Sequence, residues 1–242
     1  MGKTGFAAGK RMLFFDWNGT LINVGETFDR AFVRLVEDLA GRWMDREEDG
    51  ARKALELYKQ AWREGVRRGR GRTYRQRFAR SLRKALGDYP LQVDETFADQ
   101  FYRRLKEEKK RSAVLQPGVA ETLEGLAERY RLGIISNGGG IDLKAAGLHH
   151  YFAHENCVTS REAGSRKPRK EIYEYALRKV GLQPEACVMI GDSWKRDCLA
   201  AARAGMDAIW IRPRQNREII RKDARGRTII AVNRFSVLGR LL

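Results

Sequence analysis

Residues 14–21 read Phe14-Phe15-Asp16-Trp17-Asn18-Gly19-Thr20-Leu21. The run from Met12 to Phe15 is continuously apolar and ends on a carboxylate. A strand covered on both faces gives such a run, because neither side of the pleat meets water. Asp16 is therefore expected at the C-terminal end of a buried strand, next to a Gly19 turn that lets backbone approach a ligand closely. In open α/β sheets ligands bind at that edge. Asp16 suits a nucleophile, a metal ligand or both, and equally a plain turn or helix-cap residue. Trp17 suits packing better than ligand stacking.

Further β-rich runs lie at 131–137, 155–159, 186–192, 207–212 and 227–232. Helical patterns separate the later ones. Val119, Leu123 and Leu126 share one face of 117–129. The segment 168–180 has Pro168 at its start and Gly181 just past its end, and 196–204 stops at Gly205. Strand, helix, strand at this spacing predicts βαβ units and an α/β sheet. The stretch from about 24 to 112 differs. It has no convincing strand, and its apolar residues recur at helical spacing: Phe28, Phe32, Leu35 and Leu39, then Ala54, Leu57, Tyr58 and Trp62, then Tyr74, Phe78, Leu82 and Leu86, then Phe97, Phe101 and Leu105. These spacings predict about four helices inserted between the first and second strands.

Three more strand ends carry polar groups. Ser136-Asn137-Gly138-Gly139-Gly140 offers a hydroxyl, an amide and a flexible backbone, all able to donate to phosphate oxygens. Lys167 precedes Pro168 and a helix start, where it can stabilise a bound anion or simply lie exposed. Gly191-Asp192 and Asp197 place two carboxylates five positions apart across a strand-to-helix turn. Paired carboxylates near a phosphate site suggest Mg2+, which prefers oxygen ligands. The glycines form no dinucleotide fingerprint, and Gly2-Lys3-Thr4 lacks the loop of a P-loop. His149, His150 and His154 read as core or surface histidines rather than a metal site.

Taken together, the order and spacing of these four segments and the helical insert resemble the haloacid-dehalogenase-like (HAD) superfamily, in particular its helical-cap phosphatase branch. The resemblance runs from about Met12 to Pro213. It implies an α/β, Rossmann-like parallel sheet with helices on both faces, an all-helical cap at 24–113, and a core made of 1–23 and 114–242. It implies that Asp16 attacks phosphorus and forms an aspartyl-phosphate, and that Asn18 offers a backbone carbonyl to Mg2+. Ser136, with Asn137, would hold the phosphoryl group, Lys167 would balance its charge, and Asp192 and Asp197 would complete the metal site. Thr20 would brace the first loop.

This sequence departs from the family pattern at Asn18. Phosphatases of the family usually carry there a second aspartate that protonates the leaving group and later activates water. An amide can donate a hydrogen bond but cannot shuttle a proton, and general acid–base catalysis is worth roughly 10²–10⁴ in rate. The resemblance thus leaves two readings: a Mg2+-dependent phosphohydrolase that tolerates Asn18, or a slow or inactive module binding a phosphorylated or polyanionic partner. Dehalogenase relatives carry an aromatic residue where Asn18 stands, which points away from that chemistry.

The whole chain of 242 residues is 43% hydrophobic and 10% aromatic, enough for a real core and against long disorder. Its 48 basic residues against 31 acids leave a formal charge of +17. Such a charge favours phosphorylated ligands or polyanions without specifying them. Ten basic residues and only Glu64 fall within 63–84, either a solvated helix face or an anion-facing surface. A phosphorylated small molecule is the expected partner; nucleic acid is possible but finds no binding motif. No apolar run approaches a bilayer span, and the N-terminal stretch is no signal peptide. Cys157, Cys187 and Cys198 show no metal-ligand spacing and read as reduced thiols of a cytoplasmic protein.

Overall fold

Leu13 and Phe15 face one way and Met12 and Phe14 the other, as the two-residue period of a strand requires. All four are buried, so strand β1 (Met12–Phe15) carries no polar alternation. The computed structural model describes residues 5–41, 50–69, 73–138 and 141–242. Gly2-Lys3-Thr4, Gly139-Gly140 and the Arg70 and Arg72 of the basic segment lie outside them.

The chain divides into two units, Met1–Val24 with Ala113–Leu242, and Gly25–Ser112. After β1 come helices α1 (Val24–Ala40), α2 (Gly50–Arg67), α3 (Tyr74–Ala85) and α4 (Glu95–Arg111). Then follow α5 (Val119–Ala127), β2 (Arg131–Ser136), β3 (Cys157–Thr159), α6 (Glu171–Val180) and β4 (Cys187–Gly191). A π turn, Trp194–Cys198, leads into α7 (Leu199–Arg203). The chain ends with β5 (Asp207–Ile211), β6 (Ile219–Ala224), β7 (Arg227–Val232) and α8 (Leu238–Leu241).

The sheet order is β3-β2-β1-β4-β5-β7-β6, parallel except for β6. This is an α/β, Rossmann-like fold with helices on both faces. Val119, Leu123 and Leu126 of α5 and Leu238 and Leu241 of α8 cover Leu13 and Phe15. Ile172, Tyr173 and Ala176 of α6 and Ala200 and Ala201 of α7 cover Met12 and Phe14. The strands run outward from β1 to β2 and β3 on one side, then return to β4 on the other. The crevice at that reversal, above the C-terminal ends of β1 and β4, is the place where such sheets bind ligands.

Strand β6 escapes the sequence reading. Its residues Ile219–Ala224 are mostly exposed and charged, so they lack the apolar run that marks the central strands. It pairs antiparallel with β7 across a two-residue turn in which Arg225 and Gly226 both have positive φ (58° and 71°). Its arginine and lysine suit an edge that must not pair with another chain.

In the helical unit, Phe32, Tyr58, Phe78 and Phe101 form an aromatic core, with ring centroids 5.0–6.4 Å apart. Thr73 and Gln76 close a capping box on α3, and Asp94 caps α4 through the Phe97 amide. Tyr74, expected to point inward, is 46% exposed; it sits in the first turn of α3, its ring against the edges of Trp62 and Tyr102. A cavity of about 270 Å³ beside α2 and α3 is lined by Glu64, Arg68, Arg80, Arg83 and Lys84 among others. Among the described residues no helix is long and apolar enough to cross a membrane.

Gly133 of β2 has no room for a side chain: a Cβ there would lie 2.4 Å from Met12 Cε and 2.6 Å from the Asn156 carbonyl oxygen. Gly133→Ala is expected to cost about 2 kcal/mol or more. Gly125→Ala, in α5 and facing open space, is expected to gain up to about 1 kcal/mol from helix propensity. Denaturant titration of both variants checks the contrast.

Candidate active site

Asp16, Ser136 and Asp192 sit where buried strands stop, and Lys167 and Asp197 come from the loop before α6 and the π turn. Asp16 follows β1 directly, and its amide still donates to Ile190 O of β4 at 2.9 Å, which fixes the carboxylate at the sheet edge. Ser136 is the last residue of β2, and Asp192 follows Gly191 at the end of β4. Asp197 lies in the π turn, fully buried. Lys167 is 3% exposed, so the surface alternative for it falls away.

Lys167 Nζ donates to Asp16 Oδ1 and to Asp197 Oδ1, both at 2.7 Å. Asp197 Oδ2 accepts from the Ser193 amide at 2.9 Å. Asp16, Asp192 and Asp197 each bring a carboxylate oxygen to within 4.8 Å of the others'. Gly191 and Gly19 make this crowding possible. A Cβ on Gly191 would lie 2.4 Å from Asp197 Cγ, and one on Gly19, at φ +89°, 2.5 Å from Asp192 Oδ2.

Ser136 is buried, and its Oγ accepts from the Gly138 amide at 3.1 Å. A Cβ on Gly138 would lie 3.6 Å from both Ser136 Oγ and Asn18 Nδ2, so the exposed Asn18 amide faces the same loop as the serine. Asn137 has a structural task beside the phosphate contact expected of it. Its Nδ2 donates to Lys167 O at 2.9 Å and its Oδ1 accepts from Lys167 N at 2.7 Å. The amide thus mimics a strand neighbour and fixes the lysine's main chain; Ser160 Oγ in turn donates to Asn137 O.

Thr20 does not brace the first loop by hydrogen bonding. Its hydroxyl is buried with no partner among the described residues. Backbone bonds from the Leu21 and Ile22 amides to Trp17 O and from Gly19 N to Ile22 O do the bracing, with the Gln116 side chain donating Nε2 to Gly19 O. Trp17 is packed in the core. His149, His150 and His154 are exposed, and the acidic trio is the one metal-competent group found among the described residues.

Three carboxylates face one lysine, an excess of two negative charges if all ionise. Burial raises the Asp16 carboxyl to about 6; the charges of Asp197 and Asp192 add to this and Lys167 opposes it. Burial and then Asp197 raise Asp192 as well. An all-oxygen donor set with an uncompensated charge of that size fits a hard divalent cation such as Mg2+. Tyr173 of α6, missed in the sequence because it reads as helix core, donates its hydroxyl to Arg196 O and so supports the π turn under Asp197. Burial pushes that hydroxyl well above its usual pKa.

A carboxyl whose pKa is higher folded than unfolded stabilises the fold at low pH and loses that contribution as pH rises through the folded value. Burial holds the Asp16 carboxyl up from 3.8 to about 6, so ionising it at neutral pH weakens the native state. In chelator-containing buffer, Asp16→Asn should therefore melt higher than the parent at pH 7.5, with the gap closing toward pH 4. A lower melting temperature for the variant at pH 7.5 contradicts this electrostatic account.

Comparison with known proteins gives a consistent picture. The chain is 44% identical over 100 residues to a glyceraldehyde 3-phosphate phosphatase of Methanothermobacter thermautotrophicus, a match covering 39% of this chain; it spans 43% of that relative's length. The enzyme of the same name from Methanocaldococcus jannaschii is 26% identical over 208 residues, covering 82% of this chain and 83% of the relative. Among solved structures, 2-haloacid dehalogenase from Pseudomonas syringae superposes with a TM-score of 0.58 at 25% identity, covering 96% of this chain and 97% of that one. A profile described as haloacid dehalogenase-like hydrolase matches residues 10–205, which takes in β1 with Asp16, Ser136, Lys167 and both later aspartates. With that profile matched over most of its length, the chain belongs to the haloacid dehalogenase-like hydrolase family.

Proposed function

We propose that this protein is a Mg2+-dependent phosphatase that hydrolyses a phosphate monoester of a small molecule through an aspartyl-phosphate on Asp16. The observation that carries this reading is the buried Lys167 ammonium held between Asp16 and Asp197, with Asp192 alongside. The phosphatase names of relatives that share the family support it.

Asp16, the Asn18 carbonyl and Asp192 would hold the cation; Asp197, both of whose oxygens are already engaged, would stand behind them. When bound, Mg2+ supplies charge neutralisation and Lewis-acid polarisation of the phosphoryl group. Lys167 orients Asp16 through one N–H and keeps a third N–H for a phosphoryl oxygen. The Ser136 oxygen accepts from Gly138, which leaves its hydroxyl hydrogen free to donate to another. These fixed donors stabilise the equatorial oxygens as charge develops.

In the first step Asp16 forms an O–P bond and the bond from phosphorus to the leaving oxygen breaks. The leaving alkoxide needs a proton, and Asn18 has none to give. The proton comes from water or from a substrate group. In the second step water attacks phosphorus and gives its proton to solvent or a phosphoryl oxygen, the bond from phosphorus to the Asp16 oxygen breaks, and orthophosphate and the Asp16 carboxylate are released. The cost of Asn18 falls on both proton transfers. The helical unit is assigned the choice of substrate. The three free thiols suit a reducing, cytoplasmic setting.

Phosphate release from a panel of sugar phosphates, nucleotides and phosphoserine, with and without Mg2+, tests the proposal. Activity should need the metal and vanish in Asp16→Asn. Asn18→Asp should raise turnover on alkyl phosphates by about tenfold or more; no gain places the acid elsewhere. Asn18 also favours a second reading, a module that binds phosphorylated or polyanionic partners without turnover. No phosphate release with Mg2+ bound, together with RNA or DNA binding that falls steeply with salt, would establish that reading instead.

A further inference from the structure

The peptide plane between Asp192 and Ser193 is anchored at both ends. Its carbonyl, Asp192 O, accepts from Trp210 Nε1 at 2.9 Å. Its amide, Ser193 N, donates to Asp197 Oδ2 at 2.9 Å. That plane joins the residue that carries the Asp192 carboxylate to the amide that holds Asp197. The other oxygen of Asp197 holds Lys167, which holds Asp16. One indole N–H therefore stands at the end of a chain of bonds that runs through the Asp192 backbone to Asp197, Lys167 and Asp16.

Trp210 is well placed to be a rigid anchor. It lies near the end of β5, paired with Gly191 of β4 on one side and Ala231 of β7 on the other. Its ring packs 5.1 Å from that of Trp194, the first residue of the π turn. Lys222 of β6 lies over both rings, 5.4 and 5.9 Å from their centroids, and Arg212 lies 5.0 Å from that of Trp210. Cation–π contacts of this kind help to hold an aromatic ring in one place. The edge hairpin thus bears on the loop that carries both later carboxylates.

We infer that Trp210, steadied by Lys222, is a positioning residue that sets the Asp192–Asp197 loop for the divalent cation. The inference rests on the metal-site reading above. Partners behind a metal ligand fix its orientation and tune affinity, and the loss of one neutral hydrogen bond corresponds to about a two- to tenfold change.

The test is calorimetric titration of the full chain with Mg2+ alone. Trp210→Phe keeps the ring and removes the N–H; its Mg2+ dissociation constant should rise about two- to tenfold. Tyr130→Phe is the control, because it deletes a hydroxyl that bonds Leu242 O, on a residue that precedes β2 at the strand end opposite Ser136, and it should bind Mg2+ as the parent does. Lys222→Met should raise the constant by a smaller factor, and it decides the matter if Trp210→Phe does not fold. Equal affinity in the parent and Trp210→Phe, or in the parent and Lys222→Met when the first cannot be measured, overturns the inference while the metal site stands. Absence of Mg2+ binding by the parent overturns both.

Discussion

A single buried ammonium organises the catalytic edge. Lys167 lies between Asp16 and Asp197 at 2.7 Å from each, so each of these buried groups meets a partner of opposite charge. Isolated, each charge would face a desolvation penalty of several kcal/mol. Together they still leave an acidic excess, visible in the raised carboxyls of Asp16 and Asp192. The site is therefore destabilised as folded and receptive to positive charge. Stability is given up where binding is needed, a pattern familiar at functional sites.

The rest of the architecture can be traced to that requirement. Lys167 is held by its main chain through Asn137, a residue at the end of a different strand. Asp197 is held by Ser193, and the turn beneath it by Tyr173. Glycines stand wherever a Cβ would collide with a carboxylate, at positions 19 and 191. The sheet supplies stiffness: β1 sits between β2 and β4, with both faces covered, so the groups at its end move little.

Much of this was legible in the chain. Buried parallel strands write themselves as short apolar runs, and a polar residue that ends such a run is conspicuous; Asp16, Ser136 and Asp192 were found that way. The inserted helices announced themselves by their 3.6-residue period. What stayed hidden depended on distant partners. The structural task of Asn137 is one such feature, because the main chain that its amide grips lies 30 residues on. The π turn under Asp197 and the bond from Trp210 to Asp192 O leave no local pattern at all. Strand β6 was lost because an edge strand need not be apolar, and Thr20 because the brace of its loop is made by backbone.

The central claim is that Asp16 becomes covalently phosphorylated. On the proposed mechanism Asn18 slows both steps for an alkyl phosphate, whereas an aryl phosphate, whose leaving group needs no proton, leaves hydrolysis as the slowed step, so the intermediate should accumulate with that substrate. Acid-quenched protein, sampled during turnover of an aryl phosphate with Mg2+ and digested for peptide mass spectrometry, should carry a phosphoryl group on Asp16 that is absent when the metal is chelated. Phosphate released with the group on any other residue, or with no protein adduct at any sampled time, would contradict the account.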